Sequence, residues 1–108
     1  GITVRKGDSF TIALRFRTEQ GVLDISGAQI KMDVKDQADK LLFSKNGEIT
    51  DAVNGLAAIE LTPQDTDLDV GDYKTDIQVT YANGQVHTIF PQNINKVAYF
   101  RVTTQVTE

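Results

Sequence analysis

The chain has 108 residues, 40% of them hydrophobic, and a net charge of −4. That size makes one domain, and folding buries about two-thirds of the surface that the unfolded chain exposes, enough for a core without staples. With no cysteine, 15 acidic against 11 basic residues and no long apolar run, the composition excludes disulfides, thiol nucleophiles and cysteine zinc sites. It also argues against nucleic acid as the main partner and against a membrane span, which needs about 18 apolar residues.

Ile2-Thr3-Val4 reads as a short edge strand that ends at Gly7-Asp8. No signal-peptide pattern precedes it. Phe10 to Arg17 alternates strictly, with Phe10, Ile12, Leu14 and Phe16 on one face. Period two over such a stretch is a strand with one buried side. Glu19-Gln20-Gly21 and Asp24-Ile25-Ser26-Gly27 read as turns. From Ala28 to Lys35 the alternation returns, with Ile30, Met32 and Val34 inward. Leu41-Leu42-Phe43-Ser44 is a further strand, and Lys45-Asn46-Gly47 carries a turn signal. After Asn54-Gly55, Ala57, Ile59 and Leu61 form the inward set of the next strand.

Thr62-Pro63-Gln64-Asp65 has the start signals of a helix: a capping threonine, proline at the first position and an early acid. One short helical turn is expected near residues 63–68. Asp69-Val70-Gly71-Asp72-Tyr73-Lys74-Thr75 follows. In an immunoglobulin-like sandwich a tyrosine at this place turns its hydroxyl back onto the preceding corner. Thr75 stands where disulfide-bonded members carry a cysteine.

The run from Tyr73 continues to Tyr81 and meets Asn83-Gly84, a two-residue hairpin signal. That turn pairs Tyr81 with Val86, Val79 with Thr88 and Ile77 with Phe90, and sets His87 outward beside Thr80. Pro91 ends the strand, for want of an N–H. Val97 to Val106 is the last strand, with Ala98, Phe100, Val102 and Val106 on one face. The expected fold is all-β: an immunoglobulin-like two-sheet antiparallel sandwich of seven to nine strands. It forms one domain over residues 1–108, whether whole or cut from a longer protein.

Chemistry is hard to find in this pattern. His87 is the only histidine and no serine lies near it, so no acyl-transfer triad is expected. Asp65, Asp67 and Asp69 have the spacing of calcium ligands, but the glycine of an EF-hand loop comes one residue late, at Gly71. Turn-forming aspartates are the plainer reading, with a looser calcium site at the sandwich edge as the sharper one. Arg15, Arg17, Lys31 and Lys35 form a basic stripe only if their strands share a sheet. Residues 1–50 carry 8 basic and 7 acidic side chains; residues 51–108 carry 3 and 8. That imbalance is either an ordinary solvated surface or a sign of head-to-tail packing. No catalytic, cofactor-binding or metal-binding residue is expected, and no cofactor. Three apolar side chains on outward-reading positions, Ile89, Val97 and Tyr99, are the candidate interface.

The order of features resembles a known group: Gly7 to Phe10, Asp24 to Gly27, Leu61 to Thr66, Gly71 to Tyr73, Asp76 to Gln78, Asn83-Gly84 and Phe100 to Val102. It is similar to the immunoglobulin-like domains of tailed-phage structural proteins. The nearest likeness is to the N-terminal domain of the baseplate upper protein family, also met in prophages. The resemblance implies a non-enzymatic module of the virion tail that anchors receptor-binding proteins to the baseplate. It implies assembly in the bacterial cytoplasm. Its partners would be other tail and baseplate proteins and further copies of itself, with no nucleic acid or membrane. The alternative is a carbohydrate- or cell-surface-binding sandwich, which would need exposed aromatic platforms.

Overall fold

A computed structural model describes residues 1–91 and 98–104. In chain order the strands are β1 (Ile2–Arg5), β2 (Phe10–Arg15), β3 (Arg17–Thr18), β4 (Gly21–Val22), β5 (Gln29–Lys35) and β6 (Leu41–Asn46). They continue as β7 (Glu48–Asp51), β8 (Leu56–Leu61), β9 (Gly71–Thr80), β10 (Val86–Phe90) and β11 (Ala98–Thr103). The larger sheet runs β1-β11-β9-β5-β6, with β10 also on β9; the smaller runs β2-β8-β7. β3 and β4 make a separate small hairpin.

The alternation read from the sequence is what packs the two layers together. Met32, Val34, Ile77, Val79 and Phe100 project from the larger sheet and are almost wholly buried. Ala57, Ile59 and Leu61 join them from β8, and Phe16 and Ile25 belong to the same buried cluster. Phe43 meets Phe100 edge to face with ring centroids 6.4 Å apart, a favoured geometry for aromatic pairs.

Among the described residues eleven short strands stand where seven to nine were expected, for two local reasons. The Phe10–Arg17 run is broken at Phe16, whose N–H donates to the Gly55 carbonyl (2.8 Å) and whose carbonyl accepts from the Leu23 N–H (3.1 Å). At Gly47 the chain makes no reversal; it crosses from β6 in one sheet to β7 in the other. A Cβ there would stand 3.0 Å from the Ile30 side chain. The turn signal at Lys45-Asn46-Gly47 thus marks a close approach between layers. Nor is the pairing wholly antiparallel, because the edge strand β1 lies parallel to β11.

The corner between β8 and β9 is built as the sequence suggested. The Asp65 N–H donates to Thr62 Oγ1 (3.3 Å) while the Thr62 N–H donates to Asp65 Oδ2 (2.8 Å), a reciprocal cap. The Thr66 N–H reaches the Thr62 carbonyl (3.3 Å). This single turn does not lengthen into a helix. Thr66 is fully buried and its hydroxyl donates to the Asp8 carbonyl (2.7 Å), so the turn is latched to the β1–β2 connection. Tyr73 Oη donates to the Asp69 carbonyl at 2.6 Å, completing the tyrosine corner. Thr75, in the cysteine position, is buried and donates to the Asp33 carbonyl (2.8 Å).

The β9–β10 hairpin differs from the expected register by one residue near the turn. Val86 pairs with Thr80, His87 with Val79 and Thr88 with Gln78. The Tyr81 carbonyl accepts from the Gly84 N–H (2.9 Å) and the Tyr81 N–H donates to Gln85 (2.8 Å). Gly84 has φ +86°. That is a three-residue loop, a type I turn closed by a left-handed glycine, in place of a two-residue type I′ turn. A bulge between Thr88 and Phe90 then restores the expected Phe90–Ile77 pair.

Candidate interaction surface

The fold disperses the charged residues that the sequence set apart. Lys6 and Lys45, from the basic half of the chain, pair with Asp67 (3.5 Å) and Asp65 (2.7 Å) from the acidic half. Interleaving of strands therefore brings charges of the two halves into contact at these two pairs. Burial alone would raise the Asp65 carboxyl, but the Lys45 ammonium and the two Thr62 donors outweigh it and hold it below the usual range. The Asp69 carbonyl serves Tyr73. Among the described residues no three acidic or histidine side chains converge as a metal site would need. β2 with Arg15, β3 with Arg17 and β5 with Lys31 and Lys35 lie in different sheets, so the four do not form one stripe. His87 is exposed, with the Tyr81 ring edge-on at 5.3 Å.

The outer face of the larger sheet is charged and satisfied from within. Arg101 grips Asp72 with two hydrogen bonds (2.7 and 3.1 Å) and lies 4.7 Å from the Tyr99 ring centroid. The guanidinium holds the Asp72 carboxyl low. Lys74 reaches Asp39 at 2.9 Å, holding that carboxyl low as well. Asp33 and Asp76 stand directly opposite each other in the β5–β9 register. The Asp76 carboxyl is raised by burial and by its like-charged neighbour, with Lys35 and Lys31 pulling the other way.

A different kind of surface lies at one side of the sandwich. There β10 and β11 in the larger sheet face β2 across a groove of about 960 Å³. Ile12, Leu14, Ile89 and Phe90 give it an apolar wall and are only partly buried. Arg15 and Arg17 line it too, and among the described residues no carboxylate does. Neither arginine makes an ion pair among the described residues. The groove exists because the layers are unequal: β2 ends its sheet, and β1 covers β11 but not β10.

Two of the three candidate interface residues meet at this groove. Ile89 was expected outward on a regular strand; instead it sits at the bulge, partly buried against the core. The extra residue turns its side chain out of alternation. Tyr99 is 39% exposed and lines the groove near the Gly1 backbone. Val97 lies outside the described residues. Tyr73 and Tyr81 are half-buried, so Tyr99 is the one exposed tyrosine and no flat aromatic platform is formed. Sequence reasoning missed Ile12, Leu14, Phe90 and the arginine rim. Nothing in a strand's own pattern says that the layer opposite it will stop short.

Comparison with known families gives a match to the BppU N-terminal domain, that of the baseplate upper protein, over residues 1–104. No curated protein matches the chain. Among solved structures, the crystal structure of CopC from Methylosinus trichosporium OB3b is similar, with a TM-score of 0.53 and 15% identity. The superposition covers 95% of this chain and 83% of that one. At that identity the likeness is one of fold.

Proposed function

We infer, because this chain belongs to the BppU N-terminal domain family, that it works by protein–protein contact in a phage or prophage tail. Membership makes it a structural domain of baseplate type. The finer reading is that it joins neighbouring tail subunits and anchors receptor-binding proteins, with no catalysis of its own. The family match along nearly the whole chain carries this reading. The site agrees with contact as its mode of action: the described surface offers an apolar groove at a sheet edge. Stable contacts of this sort bury more than about 1,000 Å² in total, so the groove would be one part of a larger contact. Assembly in the bacterial cytoplasm and self-association in the particle belong to the same proposal.

The test is co-expression with the tail proteins encoded beside its gene, followed by size-exclusion chromatography with light scattering. A stable complex of defined mass is expected. A chain that stays monomeric and elutes apart from every tail protein would refute the reading.

A further inference from the structure

Exposed strand edges are usually defended by charge, because a free row of N–H and C=O groups invites another strand. β1 carries Arg5, β2 carries Arg15, β6 carries Lys45, and β7 carries Glu48 and Asp51. β10, Val86-His87-Thr88-Ile89-Phe90, is the edge strand of the two main sheets without a charged residue. Val86 is 54% exposed. Among the described residues no strand pairs with the outer side of β10. The same strand forms one wall of the groove, and the opposite wall ends in Arg15 and Arg17.

We propose that β10 and this groove together receive an extended segment of a partner protein, which adds to the larger sheet as a strand. Alternate side chains of such a segment point to opposite faces. One set would enter the groove against Ile12, Leu14 and Ile89, so it is apolar. The rim is cationic and, among the described residues, holds no carboxylate, so the segment carries acidic residues beside its apolar ones. Main-chain hydrogen bonds supply attachment in this mode, and the groove and arginines supply selectivity. The register favours the geometry. β1 lies outside β11 and begins at the Ile2–Phe100 pair, so a strand added to β10 would run in line with β1 along one sheet edge.

This proposal rests on the assembly reading and names the chemistry of the partner. The probe is a short synthetic peptide that alternates valine with threonine and ends in two aspartates on each side. A lysine-ended counterpart serves as control. Titration of the isotopically labelled protein should shift the amide signals of residues 86–90 and 12–17. The Arg15→Glu, Arg17→Glu variant should weaken the aspartate peptide by about fivefold or more, and added salt should weaken it similarly. A Lys31→Gln, Lys35→Gln variant on the outer face should stay within about twofold. Shifts that fall elsewhere, equal binding of the lysine peptide, or no saturable shift at millimolar peptide would each overturn the proposal. A protein that assembles with tail subunits yet gives one of these results keeps the assembly reading and loses this one.

Discussion

Removing the hydroxyl of Tyr73 isolates the bond that closes the corner between β8 and β9. Tyr73→Phe keeps the ring, which packs against the core, and deletes the 2.6 Å bond to the Asp69 carbonyl. Asp69 is exposed, so water can replace the lost donor and no buried acceptor is orphaned. The cost is then the net worth of one neutral hydrogen bond, about 1 kcal/mol. For a domain near this size that lowers the melting temperature by about 4–8 °C. Urea unfolding should show a lower midpoint with an unchanged slope, because the same surface is exposed on unfolding. Alkaline pH gives a second readout. Burial raises the Tyr73 phenol above its ordinary value, and Asp69 and Asp36 raise it further. A group with a raised folded pKa contributes stability that is complete below its unfolded value and is lost as pH climbs through the folded one. Wild type should therefore weaken above about pH 10, and Tyr73→Phe should lack that component. An unchanged melting temperature, or an identical alkaline limb in both proteins, would refute the assignment of this bond as the corner's lock.

Two further substitutions probe backbone fit and charge. Gly55 has φ +69°, and a Cβ there would stand 2.6 Å from the Leu23 and Phe16 carbonyl oxygens; Gly55→Ala should cost more than about 2 kcal/mol in urea unfolding. Asp76 is raised by burial and then by Asp33, so its ionised form is disfavoured in the folded state. Asp76→Asn should raise the urea midpoint at pH 7, and the gain should fade as pH falls through the raised folded value of Asp76 and be gone below the ordinary aspartate value, where both states of the wild type are protonated.

Most of the fold was legible because it depends on local rules that agree with one another. Period-two runs fixed the inward faces of β5, β8 and β9, and the Asp-x-Gly-x-Tyr spacing fixed the corner. The misreadings come from places where two signals competed. Asn83-Gly84 is a strong two-residue turn, yet the chain spreads the loop over Ala82, Asn83 and Gly84 and recovers the pairing with a bulge at Ile89. Alternation alone cannot reveal a compensated pair of irregularities, since beyond the bulge the Phe90–Ile77 pair still fits. Gly47 was read as a bend because glycine serves both bends and close approaches. Only the position of Ile30 decides between them.

The candidate surface was half legible for a related reason. Tyr99 and Ile89 stand out as apolar residues in outward positions, but no pattern along the chain assigns them a common neighbour. What joins them is a mismatch in layer width: β9 is long enough to carry β10 and β11 in tandem on one side, while β1 covers only β11. Among the described residues no strand covers the outer side of β10, and β10 has no charge with which to defend that edge. The bulge bears on the same edge. It is a common way to spoil an edge for further pairing, but here it lies at the inner end of β10 and turns Ile89 toward the groove. Val86 to Thr88 remain in regular register. A device that only protected the edge would have disrupted that outer part, so the irregularity shapes the groove and leaves the edge able to pair.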